Sequence, residues 1–215
     1  MLLVAAVLAQ EAFGLTFPTG GEIAYRETWR TTENGGDQPL TSDAERIVRL
    51  RVKETARGRT RLEVKFEGLV IRGSNTGLNE DMRSWLDVPG RDQWVNERGF
   101  VERRDEPRGN RPYFGLVLPP PGKTLPDRWT AKVLPPIGTE RATEFTFRLD
   151  PTSRADQSLT ILTSAKDKVG DLTMSLEGRI TLSLRGEVSF GDITTTLHDS
   201  REKSTTVIEY RFRKL

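Results

Sequence analysis

Cysteine is absent from the 215 residues of this chain, and histidine occurs only once. The absence of cysteine excludes disulfides, thiolate metal sites and thiol nucleophiles. It does not argue against export, because a chain of this length can bury a core large enough to fold without disulfides. The near-absence of histidine also speaks against a zinc site, which draws its ligands mainly from these two residue types.

The motifs of common active sites are missing as well. The chain has no Gly-x-Ser-x-Gly element, no phosphate-binding loop, no dinucleotide fingerprint and no RNA-binding signature. The single histidine, His198, could form a Ser-His-Asp triad only with partners distant in sequence, and we expect it at a strand end beside a solvated turn. Glu63 and Glu67 share one strand face, but lysine and arginine alternate with them, which favours cross-strand ion pairs over catalysis. We therefore expect no enzyme, no metal site and no cofactor.

No global excess of charge marks the chain as a nucleic-acid-binding protein. Lysine and arginine number 33, aspartate and glutamate number 31, and the formal net charge is +2. This balance argues against a nucleic-acid partner. The composition, with 35% hydrophobic and 30% charged residues, is typical of thin β layers that keep one face in water.

No hydrophobic run in the chain is long enough to span a bilayer. Residues 1–9, MLLVAAVLA, are apolar but too few to cross a membrane. We interpret them as the remnant of a signal peptide cleaved before Gln10, although the usual basic segment is missing. The alternative is a buried first strand or short helix. The first interpretation predicts an exported protein, periplasmic or extracellular, in which residues 10–215 form a single all-β domain.

Apolar and polar residues alternate with a period of two from Gly21 onward. This pattern indicates strands with one dry face and one wet face. Turn residues separate about eleven such strands. The first predicted hairpin turns at residues 56–59, and its apolar face is made by Val48, Leu50, Val52, Leu62, Val64 and Phe66.

Most of the prolines lie between residues 107 and 136. Proline has no N–H donor and is excluded from central strands, so we expect a crossing loop that covers one mouth of the fold. A strand near Trp129 interrupts this loop, and residues 79–85 are the best candidate for a helix. The expected fold is all-β. It is either one strongly curved antiparallel sheet, an open half-barrel, or a two-sheet sandwich.

Two segments of the chain resemble a family. Residues 113–119, followed by Leu-Pro-Asp-Arg-Trp at 125–129, are similar to an element of uncharacterised exported bacterial β proteins, in which an LP segment precedes Gly-Asp-x-Trp. Pro126 stands where that group usually has glycine. The segment Arg185–Ile193 resembles the group's late hairpin. The resemblance implies a long curved sheet similar to the half-barrels of periplasmic lipoprotein carriers; it implies no activity, since a fold alone does not transfer function.

The four tryptophans and an arginine-rich hairpin are the candidate ligand contacts. The tryptophans could form a surface that contacts lipid or sugar, or they could be plugs of the core. The hairpin arginines should point outward together and could hold an anionic group, or they could protect a sheet edge against pairing. The candidate ligand-binding residues are Trp29, Trp85, Trp94, Trp129, Arg49, Arg51 and Arg61.

These observations favour a non-catalytic binding module of the cell envelope. Its concave apolar face would hold a lipid-like or other apolar group, or a segment of an envelope protein partner. A structural or surface-assembly protein without a small ligand is the second hypothesis. A carbohydrate-active hydrolase, which needs two acids converging in a cleft, is the third.

Overall fold

The computed structural model describes residues 14–102, 111–120, 125–134, 141–152 and 158–215. One helix, α1 (Thr76–Leu86), lies in these residues; the predicted helix at 79–85 falls inside it. Apart from short 3-10 turns, such as that at Tyr113–Gly115, all the other regular elements of these residues are strands, which confirms the all-β prediction. They are β1 (Glu22–Asn34), β2 (Leu40–Ala56), β3 (Arg59–Gly73), β4 (Arg91–Asn96), β5 (Phe100–Glu102), β6 (Arg111–Pro112), β7 (Arg128–Val133), β8 (Thr143–Leu149), β9 (Ser158–Val169), β10 (Leu172–Ser183), β11 (Val188–Asp199) and β12 (Ser204–Lys214).

The described strands belong to a single antiparallel sheet, and the two-sheet sandwich is therefore wrong. The strand order is β6-β5-β4-β3-β2-β1-β12-β11-β10-β9-β8-β7, which makes twelve strands rather than about eleven. Strands β1 to β6 and β7 to β12 each follow one another as neighbours. The two halves join where β1 pairs with β12, with Trp29 opposite Tyr210. The order has two ends, so the sheet is open.

The sheet is strongly curved. Nine strand spacings separate β4 from β7, which is about 43 Å in a flat sheet. Yet Trp129 on β7 donates a hydrogen bond to the carbonyl of Val117, while Arg98, in the turn after β4, bonds the carbonyl of the next residue, Leu118. Two adjacent residues can reach both strands only if the sheet bends around them.

The face turned toward this segment carries the core. On β1, Ile23, Tyr25 and Trp29 are buried there, while Arg26 and Arg30 on the opposite face are exposed. We call the first the inner face and the second the outer face. The alternation follows from the two-residue repeat of a strand, and it was predicted correctly for both strands of the first hairpin.

Three segments outside the sheet cover the inner face in the described part of the chain, and one of them is the stretch before β1, where Leu15 is in the main core. Helix α1 begins after Asn75, whose side-chain oxygen accepts a hydrogen bond from the backbone N–H of Leu78 at 2.8 Å. Its residues Met82 and Leu86 pack on Trp29. The third segment, residues 113–119, was expected to cover one mouth. Instead its apolar side chains lie inside the curve, in the main core.

The hairpin turns at one end of the sheet are bridged by the segment that precedes β1. The backbone N–H of Leu15 bonds the carbonyl of Glu97, and that of Thr16 bonds the carbonyl of Gly186. Gly99, in the first of these turns, has a φ of +93°, as its place in the predicted short hairpin required. Because the two turns belong to opposite halves of the sheet, this segment ties the halves together.

Candidate functional site

The inner face is apolar across nearly the whole width of the sheet. Ten strands each contribute at least one hydrophobic side chain that is no more than 2% exposed. From β4 to β7, in sheet order, these are Val95, Leu62, Leu50, Tyr25, Phe212, Ile193, Ile180, Ile161, Phe147 and Val133. Such a surface must be covered, either by the chain itself or by an apolar ligand.

Residues 113–118 cover the middle of this surface. Leu116, Val117 and Leu118 are completely buried. The ring of Phe114 lies 4.8 Å from that of Tyr25 and 4.6 Å from that of Phe212, between centroids, at the junction of β1 and β12. At the junction of β1 and β12, residues 113–118 therefore occupy the concavity of the sheet.

Polar groups gather on the inner face beside α1. Arg46 Nε donates to Glu27 Oε2 at 2.9 Å, and both side chains are about nine-tenths buried. The hydroxyl of Tyr210 donates to the other oxygen of Glu27 at 2.5 Å. The guanidinium lies 4.9 Å from the ring of Trp29 and 4.0 Å from that of Phe66. We call these five residues the Glu27–Arg46 cluster.

The regular alternation of β2 places Arg46 in this cluster, in register with Glu27 on β1. A β-bulge lies beside it on β3. The register between β2 and β3 shifts between Glu45 and Ile47, where β3 carries one extra residue. Gly68, with a φ of +65°, lies in the extra stretch, and glycine adopts this conformation without steric cost. Arg46 Nη1 also donates to the carbonyl of Leu86 at 2.6 Å, at the end of α1. The cluster thus joins β1, β2, β12 and the helix, and its charges are satisfied internally.

The three tyrosines of the chain all have raised pKa values. Burial is the main cause in each case. The Glu187 carboxylate adds to the effect at Tyr25, and Glu27 adds to it at Tyr113 and Tyr210. All three phenols are therefore neutral hydrogen-bond donors near neutral pH, and Tyr25 donates to the carbonyl of Val188 at 2.9 Å.

The structure does not bring the four tryptophans together. Trp29 is in the core, with its ring centroid 5.3 Å from that of Tyr210, and Trp129 stacks on Phe147 at 5.6 Å. Trp94 is half-buried on the outer face, opposite Arg61 on β3. Trp85 is 52% exposed on α1. Two of the four serve as core plugs, and no common aromatic surface exists among them.

The hairpin arginines do point outward together, but carboxylates hold Arg49 and Arg61. Arg49 contacts Glu22 and Glu67, each at 2.7 Å, and these bonds raise its pKa. Arg61 contacts Asp92 at 2.5 Å. Arg51 lies in register with Glu22 on β1 and with Glu63 on β3. The alternation of acids and bases along these strands, visible in the sequence, is the cause of this pairing.

The remaining sequence candidates also lie on the outer face or at a turn. Lys53 Nζ is 2.8 Å from Glu63 Oε2, and this hydrogen bond is the main cause of the lowered pKa of Glu63. His198 is exposed near the end of β11, with Nδ1 3.1 Å from the hydroxyl of Thr205. Within the described ranges, no group of three or more acidic or histidine side chains could hold a metal ion, and no helix is long and apolar enough to cross a membrane.

Sequence reasoning missed the Glu27–Arg46 cluster. Glu27 stands between Tyr25 and Trp29 in the two-residue repeat, so a carboxylate at an inner position was the available signal. Arg46 carried the same signal, because it stands two residues before Val48 in the regular alternation of β2, at an inner position.

No protein-family model and no curated protein sequence matches the chain. Among solved structures, the chain is similar to lipovitellin, in a structure concerned with lipid–protein interactions, with a TM-score of 0.56 and 9% sequence identity. The match covers 93% of this chain and 25% of the lipovitellin chain. At this identity the likeness shows the fold alone.

Two further solved structures match over most of the chain. They are DynF from the dynemicin biosynthesis pathway of Micromonospora chersina and an outer membrane channel from Pseudomonas putida F1. Each is 9% identical and matches 94% of this chain, which corresponds to 83% and 98% of their own lengths, with a TM-score of 0.29. Scores this low carry no argument. The resemblance to uncharacterised bacterial β proteins is supported only as an all-β fold.

Proposed function

We propose that the chain is a non-catalytic binding module of the cell envelope that holds a lipid-like or other apolar group against the inner face of its sheet. The observation that carries this proposal is the apolar layer that runs from β4 to β7. In the described residues a helix and two short segments cover this layer, rather than a second sheet. The fold likeness to lipovitellin, whose structure concerns lipid–protein interactions, supports it. The proposal includes export, from residues 1–9, and no nucleic-acid partner.

The segment at residues 113–118 has to give way for an apolar group to reach the middle of this face. Two side-chain hydrogen bonds hold its backbone, from Trp129 to the carbonyl of Val117 and from Arg98 to that of Leu118. Each such bond contributes about 1 kcal/mol. Displacement also breaks the backbone hydrogen bonds from Tyr113 to Gly99 and from Leu118 to Arg98. It uncovers Leu116, Val117 and Leu118 as well, so an acyl chain has to replace their apolar contacts for binding to be favourable.

Trp129→Phe tests this route. Phenylalanine keeps a ring against Phe147 and removes the donor to Val117. Loss of one hydrogen bond should raise the population with a displaced segment, and with it the affinity for a fluorescent fatty acid, by about fivefold. Trp94→Phe, on the outer face, is the matched control and should leave the affinity unchanged.

Native mass spectrometry of the wild-type protein, purified from its own envelope fraction, completes the test. A co-purifying mass of lipid size supports the proposal. The bare mass of the chain, together with the same weak fatty-acid binding in Trp129→Phe and wild type, contradicts it.

The filled concavity favours a second function, a structural or surface-assembly protein without a small ligand. Leu116, Val117 and Leu118 have no exposed surface, as expected of a permanent core. This function predicts an envelope-purified protein free of lipid whose native mass is a whole multiple of that of the chain.

A further inference from the structure

A groove of about 630 Å³ crosses the outer face of β7 to β12. It lies on the opposite side of the sheet from the apolar layer and is therefore independent of the function proposed above. Its lining has four arginines and two carboxylates, with threonine and serine hydroxyls between them. The charged residues are Arg128, Arg148, Arg179, Arg211, Glu177 and Asp192.

The four arginines form one row across the strands. Arg128 on β7 pairs with Arg148 on β8, and Arg148 pairs with Leu162 on β9. The row continues through the next three strands, in register, with Arg179, Asp192 and Arg211. We call these six residues the arginine row. A second row beside it consists of Thr146, Ser164, Glu177 and Thr194.

The arginine row differs from the rest of the outer face in how its charges are matched. In the other half of the sheet, several arginine and lysine side chains lie within 4 Å of a carboxylate on a neighbouring strand. These pairs are Arg26–Glu45, Arg30–Asp43, Arg49–Glu22, Arg49–Glu67, Lys53–Glu63 and Arg61–Asp92. There the outer charges neutralise one another.

Arg128 and Arg148 face each other without such a partner. Over the part of the chain that the structure describes, no salt bridge within 4 Å reaches either guanidinium. Asp150 accepts hydrogen bonds from the N–H and the hydroxyl of Thr152 at 2.9 and 2.7 Å, and the nearby charge of Arg148 also helps to lower its pKa. A second concavity, lined by Asp127, Pro151 and the same two arginines, continues the groove. Like charges directly opposite each other destabilise a strand pair, so a bound anion would stabilise this placement.

At the end of the row nearest the centre of the sheet, the charges of the arginines are only partly neutralised. Asp192 lies 3.2 Å from Arg211 and 3.9 Å from Arg179, whose side chains are 56% and 60% exposed. Arg211 also contacts Glu209 at 3.3 Å. One aspartate is shared between two arginines, so both retain donors that face solvent.

We propose that the arginine row binds a linear acidic polysaccharide, with its carboxylate or sulfate groups on successive arginines. Arg148, Arg179 and Arg211 are each two strands apart, an interval of about 10 Å. A regular interval suits an extended polymer with repeating charges. Guanidinium groups bind such oxyanions through two parallel hydrogen bonds, and the hydroxyls of the second row can bond neutral sugar oxygens. A groove also suits a single chain better than a flat lipid surface.

The test compares two double variants with the same change of charge. Arg128→Gln with Arg148→Gln removes the unmatched pair. Arg49→Gln with Arg61→Gln removes two matched arginines on the outer face of the other half. Binding of the full chain to polygalacturonate and to heparin is measured by calorimetry at several salt concentrations, with neutral dextran and anionic phospholipid vesicles as further probes.

We expect binding to one or both acidic polysaccharides, and none to dextran. The first double variant should lose about tenfold or more in affinity and show a shallower salt dependence, while the second should change less than about twofold. Both variants should melt near the wild-type temperature, because Arg128 and Arg148 are exposed and the partly exposed ion pairs of Arg49 and Arg61 contribute at most about 1 kcal/mol each.

Three outcomes overturn the proposal. The first is no binding of wild type to either acidic polysaccharide. The second is an equal loss of affinity in both double variants, which means attraction by net charge alone. The third is binding to anionic vesicles, but not to the polysaccharides, that depends on Arg128 and Arg148, which makes the groove a membrane contact.

Discussion

At the scale of single residues, the Glu27–Arg46 pair is the most consequential departure from a purely apolar inner face. Each charge is buried and satisfied by the other and by Tyr210 and the Leu86 carbonyl. Such a pair contributes little net stability compared with apolar residues, but loss of one partner leaves the other charge buried. Its value lies in fixing where α1 sits on the sheet.

Arg46→Met should therefore lower the free energy of unfolding by about 3–5 kcal/mol. The double variant Glu27→Gln with Arg46→Met should cost less than the sum of the two single changes, because no charge is then left behind. Urea unfolding of the three variants measures this. Additive costs would show that the two side chains do not depend on each other.

The tyrosines predict how the protein responds to alkaline pH. A phenol whose folded pKa is raised contributes stability that is complete below the unfolded value of about 10 and is lost as pH rises toward the folded value. Since Tyr25, Tyr113 and Tyr210 are all shifted upward, stability should fall steeply above about pH 10.

Ultraviolet absorbance of tyrosinate, followed together with circular dichroism, checks this expectation. Ionisation should coincide with loss of the β signal. A tyrosinate titration with its midpoint near the ordinary value, in a protein that stays folded, would contradict the burial of the phenols.

At the scale of elements, α1 depends on its first turn and on what it covers. The side chain of Asn75 satisfies the N–H of Leu78, and Met82 packs on Trp29. Asn75→Ala should cost about 1 kcal/mol, whereas Asn75→Ser, which retains an acceptor, should cost much less. Urea unfolding compares the two, and equal losses would mean that the cap does not stabilise the helix.

The elements also show which parts of the fold local sequence patterns predict. The two-residue repeat predicted the long strands correctly. Gly99 predicted the turn of the short hairpin, and the helix was predicted at residues 79–85. Residues 113–118 were misplaced because a short apolar run beside prolines has no periodicity, and only contact with distant strands decides whether it lies over a mouth or inside the curve.

At the scale of the whole molecule, one strand pair joins the two halves within the sheet. The segments at residues 15–16 and 113–118 add contacts to both halves. Ten paired positions join β1 to β12, and both strands have a partner on either side. Strand β7, at the end of the order, pairs along six positions on one side only. Stability should therefore decrease from the centre of the sheet toward its ends.

Amide hydrogen exchange tests this gradient. Amides of β1, β2, β11 and β12 should exchange last, and those of β4, β5 and β7 first. Early exchange at β1 or β12 would show that the halves separate before their ends fray, and would make them independent units.

The sequence by itself determined the all-β class, the inner and outer sides of the long strands, and the pairing of acids with bases in the first hairpin. Each of these depends on neighbours within a strand or across one turn. Only the tertiary structure decided that the strands form one open sheet, that residues 113–118 fill its concavity, and that four arginines align across β7 to β12. Curvature, filling and alignment join residues up to about a hundred positions apart, and the register that unites them is set by every strand between.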